Sequence, residues 1–148
     1  MIKINKLNIK KFKKIEAYGI PFGFEGHLID SISKINQKNI IYLAKDDKEA
    51  DIIKSSLLFF NSKIEILNFP AWDCLPYDRS GPRLKIQSER LTLLSKLCDD
   101  DSSKKVIITT VNAIIQKVIP KNHLEKLNFK LAVGKTVNVE KLKTFLIS

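Results

Sequence analysis

Gly19, Gly23 and Gly26 stand just ahead of an apolar-periodic run, where a phosphate-cradling loop would open a helix. Such a loop needs Gly-x4-Gly-Lys-(Ser/Thr). Its amides hold the phosphates, its lysine neutralises them and its hydroxyl holds Mg²⁺. Counted from Gly19, Phe24 stands at the second glycine and Glu25 at the lysine. Counted back from Gly26, His27 takes the lysine slot and Leu28 the hydroxyl slot. Neither register can neutralise a triphosphate, and no apolar strand ending in paired acids follows. The expectation is a degenerate loop kept as a tight turn, with no catalytic residue, cofactor or metal of its own.

The second place for chemistry is Phe69-Pro70-Ala71-Trp72-Asp73-Cys74-Leu75-Pro76-Tyr77-Asp78, followed by Gln87-Ser88-Glu89-Arg90-Leu91. It holds the only tryptophan and two of the five prolines. Trp72, Tyr77, Arg79, Arg83 and Arg90 can present aromatic and basic groups to a partner or to nucleic acid, since bases stack on aromatic rings and arginine. The competing reading is packing, with Trp72 and Leu75 covering the end of a sheet and the prolines stiffening the path. Other candidates are thinner. His27 and His123 are not in a ligand pattern, Ser88 has no companion histidine, and Asp99 to Asp101 reads as a solvated loop. Thr109 to Ala113 closes a strand and starts a helix, where it would face a ligand or cap the helix.

The elements that position these residues alternate. His27 to Ile35 carries Leu28, Ile29, Ile32 and Ile35 on one helical face. Asn39 to Ala44 is a short apolar run, as in a buried parallel strand. A helix capped by Asp46 or Asp47 runs to Phe60. Lys63 to Phe69 is a second strand, Ile86 to Leu97 a helix and Val106 to Thr110 a third strand. A helix over 111–119 stops at Pro120, and one more turn falls in 121–127. This order predicts an α/β domain, a mostly parallel sheet with helices on both faces in three layers. From Phe129 to Val137 the apolar residues alternate like an exposed strand turning at Gly134, and Val139 to Ile147 is an amphipathic helix. The predicted division is a basic arm over 1–18, the α/β domain over 19–127, and the start of a second, α+β domain over 128–148. The chain stops in a helix with an unmatched apolar face, which reads as a piece of something longer.

The chain has 148 residues and 44% hydrophobic content, enough for one packed core. Its formal charge is +10, and residues 1–14 hold six lysines and no acid. That charge favours acidic partners, although solvated lysine alone would also account for it. Cys74 and Cys98 lack metal-like spacing and read as unpaired thiols of a reducing compartment. With no apolar run long enough for a membrane span and no secretory signal, a cytoplasmic, membrane-free protein is expected.

The motifs together resemble the N-terminal region of the bacterial transcription-repair coupling factors, itself similar to the first domain of the excision-repair protein UvrB. The resemblance runs in order from Gly19 to Leu146. It rests on Gly19-Ile20-Pro21-Phe22-Gly23, on Tyr42-Leu43-Ala44-Lys45-Asp46 (Lys45 where the family has proline), and on the helix closing at Phe59-Phe60. The Phe69–Asp78 run and Ser88-Glu89-Arg90-Leu91 are its most specific parts. Thr109-Thr110-Val111-Asn112-Ala113-Ile114-Ile115-Gln116 and Val133-Gly134-Lys135-Thr136-Val137 complete it. The resemblance implies a UvrB-like, degenerate P-loop module of a large ATP-dependent DNA translocase. That parent displaces stalled RNA polymerase and recruits UvrA in nucleotide excision repair. ATP, Mg²⁺, helicase motifs and the DNA and polymerase contacts would belong to other domains, and UvrA contacts mainly to the rest of the second domain. The basic arm and the strong positive charge depart from the family. Two alternatives follow from the residues: a stand-alone basic nucleic-acid-binding domain, and the N-terminal part of a UvrB-type excinuclease subunit with a working ATPase site.

Overall fold

The computed structural model describes residues 14–35, 38–75, 79–98, 103–126, 129, 131 and 133–147. The basic arm up to Lys13, the Pro76–Asp78 end of the Trp loop and the Asp99–Asp101 loop lie outside them. The elements run α1 (Glu25–Ile35), β1 (Ile40–Ala44), α2 (Asp47–Phe60), β2 (Glu65–Phe69), α3 (Leu84–Cys98), β3 (Lys105–Thr110), α4 (Val111–Ile114), α5 (Lys121–Lys126) and α6 (Val139–Ile147).

The three strands form one parallel sheet in the order β1-β3-β2. Ile41 pairs with Ile107, and Leu67 pairs with Ile107 from the other side. The centre falls to β3, whose six residues are all buried. Its Val-Ile-Ile run suits that place, because a strand covered on both faces has no solvated side for polar residues.

Successive side chains leave a strand on opposite faces, so each strand feeds two cores. Val106 and Ile108 pack with Ile29 of α1 and Ala50, Ile53 and Leu57 of α2. Ile107 packs on the other face with Leu67, Phe69 and Leu93 of α3. Ile53 and Leu57 are 1% and 0% exposed, and each contributes about 1.5–3 kcal/mol by burial. The expected α/β class with helices on both faces of a parallel sheet is the observed one.

Local chemistry explains several boundaries. Asp46 caps α2, its Oδ1 accepting from Glu49 N at 2.8 Å. The Glu49 carboxylate in turn accepts from Lys45 N and from the Tyr42 hydroxyl, both at 2.8 Å. Burial, then this hydrogen bond and the charges of Glu49 and Glu25, push the Tyr42 phenol well above its ordinary range.

Three expectations are corrected. The helix expected over 111–119 ends at Ile114, and Ile114, Ile115, Val118 and Ile119 are exposed. Without an apolar layer to pack on, β-branched residues hold a helix weakly. Among the described residues of 129–137 no strand forms; the segment turns at Gly134, with φ +81°, and has no partner strand to satisfy its backbone. Leu75 does not cover the sheet: it is 76% exposed.

Candidate functional site

The loops after β2 and after β3 both leave the C-terminal edge of the sheet, the edge where open α/β sheets bind ligands. They meet over Arg90 of α3. The Arg90 guanidinium carbon lies 4.0 Å from the centroid of the Phe69 ring and 4.2 Å from that of Trp72. Its Nη1 donates to Pro70 O at 2.7 Å and to Gln116 Oε1 at 3.2 Å. The same Gln116 oxygen accepts from Trp72 N at 2.9 Å. Arg90 is 2% exposed, and its Nη2 is buried with no hydrogen-bond partner. Burial lowers its pKa from the ordinary guanidinium value. Three sequence motifs thus close into one network: Phe69-Pro70-x-Trp72, Arg90 of Ser-Glu-Arg-Leu, and Gln116 of the Thr-Thr-Val segment.

The outer part of the loop is tied differently. Asp73 accepts from Arg83 N at 3.1 Å and pairs with Arg83 Nε at 2.9 Å, closing the loop onto the start of α3. Arg83 itself stays 83% exposed, and Arg79 is exposed. The five residues singled out from sequence therefore separate. Trp72 and Arg90 stack on each other and hold the loop. Arg79 and Arg83 face solvent, and Tyr77 lies outside the described residues. Gln116 and Asp73 also organise the loop; their types and spacing carry no sign of it, and the Thr-Thr-Val segment is the one sequence signal that points toward Gln116.

The Gly19–Gly26 segment, expected as a degenerate phosphate loop, is built for packing. Gly19 and Gly23 have φ of +70° and +80°, turn conformations that favour glycine. Gly26 lies inside α1, buried against α2. A Cβ on it would meet the Ser56 hydroxyl and come within 2.7 Å of Leu57 N. Ser56 Oγ also donates to Gly23 O at 2.6 Å. The third glycine thus sets a close helix–helix approach. Glu25 stands in the first turn of α1 with Oε2 buried and without a hydrogen-bond partner. A carboxylate there repels a phosphate.

The remaining candidates have local roles. His27 packs between Phe24 and Phe60, with ring centroids 4.8 and 5.1 Å away. Among the described residues no three potential ligand side chains converge on a metal position. Thr110 starts α4 without a side-chain cap, and Thr109 Oγ1 donates to Phe69 O at 3.0 Å. That segment joins β3 to β2 and does not cap its helix through a hydroxyl. No helix of the described residues is long and apolar enough to cross a membrane.

Fold and site together define the class: a parallel three-stranded α/β domain with a tryptophan loop tied down at the C-terminal edge of its sheet. No family profile matches the chain. Individual relatives do. A transcription-repair-coupling factor of Rickettsia conorii is 32% identical over 80% of this chain, and that of Borreliella burgdorferi is 28% identical over 97%. The Escherichia coli factor is 26% identical over 82%. Over 80 to 97% of its own length, then, the chain is similar to transcription-repair-coupling factors. It spans about a tenth of the length of these relatives, 10 to 13% in the three named.

Proposed function

We propose that the chain serves as the non-catalytic, UvrB-like module of a transcription-repair coupling factor, a scaffold through which the parent reaches the excision machinery. The observation that carries this reading is the fate of the phosphate loop: Gly26 packs on Ser56 and Leu57, and Glu25 occupies the position of the phosphate-binding lysine. Such a loop holds two helices together and binds no nucleotide. ATP and Mg²⁺ binding, translocation on DNA and displacement of RNA polymerase are then assigned to other parts of the parent. Recruitment of UvrA is assigned mainly to what continues the second domain, and the setting is the cytoplasm. The apolar outer face of β1, where Ile41 and Leu43 are exposed, suits a module that docks in a larger assembly.

The test is a chimaera in which this chain replaces the matching segment of the Rickettsia conorii factor. ATP hydrolysis and polymerase displacement should persist with the chimaera, and the chain alone should take up no ATP. A chain that binds ATP by calorimetry would instead place a working nucleotide site here.

A second reading rests on the +10 charge and on exposed Arg79 and Arg83: a nucleic-acid-binding domain. Its signature is DNA binding by the whole chain that weakens steeply with salt, because phosphate contacts release counterions.

A further inference from the structure

Strand β2 is an edge. β3 pairs one side of it, and no strand among the described residues pairs the other. A groove of about 300 Å³ runs along the open side, lined by residues 66–68 of the strand, by Lys54 of α2 and by Ser88, Glu89 and Thr92 of α3. An open edge presents unpaired backbone donors and acceptors, and proteins that keep such edges idle blunt them with proline, bulges or free charges on the strand. β2 contains no proline, and its one charged residue, Glu65, is held by Lys96 at 2.8 Å. Two charges instead stand on the groove walls. Lys54 and Glu89 have no ion-pair partner among the described residues.

The walls lie on opposite faces of the sheet, α2 with Ile53 and Leu57 on one and α3 with Leu93 on the other. A strand added beside β2 turns successive side chains toward α2 and α3 in alternation. We propose that this edge is a docking groove for an extended segment of a partner protein, taken up as an added strand. The segment carries an acidic residue facing Lys54 and a basic residue facing Glu89, separated by an odd number of positions. Backbone pairing supplies affinity and the two charges set the register. A slip of one residue would bring acid toward Glu89 and base toward Lys54. Walls with one charge of each sign suit a polypeptide and not a polyanion. This inference stands apart from the role proposed for the parent.

The experiment selects binders to the full 148-residue chain from a random heptapeptide phage library. Enriched peptides should share an acid and a base at odd separation. A synthesised one should shift the amides of 65–69 and 86–93 in NMR spectra more than others. Binding should fall about tenfold on K54E, and K54E/E89K should prefer the charge-swapped peptide. Both side chains lie on the helix surface, so the fold tolerates these changes. The proposal is overturned by no enrichment, by enriched peptides without the odd spacing, or by shifts confined to another surface. It is equally overturned if sedimentation and the same amide shifts reveal that a second copy of the chain occupies the edge.

Discussion

Arg90 is a guanidinium inside the domain, and among the described residues no carboxylate pairs with it. Burying an unpaired cation is costly, and here two ring faces, a carbonyl and an amide oxygen offset it. Truncation by R90A removes the stack and leaves Pro70 O without its donor, so a loss of about 2–4 kcal/mol is expected in urea unfolding followed by Trp72 fluorescence. R90K should recover little, because an ammonium cannot lie flat between two rings; a wild-type midpoint for R90K would refute the stack. The glycines make a second contrast. G26A forces a methyl against Ser56 and the Leu57 backbone and should cost about 1–3 kcal/mol. G19A meets open space and should cost only the roughly 1 kcal/mol of its positive φ. Equal thermal shifts for the two would contradict the close helix approach. In the sequence, Gly26 and Gly19 look alike as parts of one motif. Their roles separate only where α2 arrives.

At the scale of elements, periodicity located each strand and each longer helix among the described residues. α3 runs from Leu84 to Cys98 where Ile86 to Leu97 was expected, and α1 begins two residues before His27. Such patterns are local, so they are legible in one dimension. What failed was also local in appearance. The 111–119 run has helical character yet stops after four residues, since beyond buried Ala113 its apolar side chains face solvent, and among the described residues 129–137 alternates without a strand to pair. The edge strand β2 is anchored at its start by Glu65, which accepts from Lys96 and lies 3.9 Å from buried Lys105. The Lys96 hydrogen bond leads in lowering the Glu65 pKa. A lowered folded pKa adds stability above the ordinary carboxylate range and loses it as pH falls through the lowered value. Acid titration of unfolding should therefore flatten in E65Q relative to wild type over that acidic window. An unchanged pH profile would mean that the anchor contributes nothing.

Across the whole molecule, the two cores are unequal. The α1–α2 side covers the sheet, whereas α3 lies over β2 and β3, leaving Ile41 and Leu43 of β1 60% and 49% exposed. In this chain I41S/L43S should change stability by less than about 1 kcal/mol, while I53A should cost about 2–5 kcal/mol. Denaturation midpoints compare them directly, and a large loss from the double variant would mean that β1 is covered after all. The sequence alone determined the α/β class, the strand and helix order, the absence of a lysine between Gly19 and Leu28 and the similarity to the coupling factors. These reside in periods of two and 3.6, in turn residues and in ordered motifs, all written along one chain. Only the tertiary structure decided that Trp72, Arg90 and Gln116 form one network, that Gly26 serves packing and that β1 keeps an uncovered face. Those depend on residues 18 to 44 positions apart meeting in space, and one-dimensional spacing carries no record of such meetings.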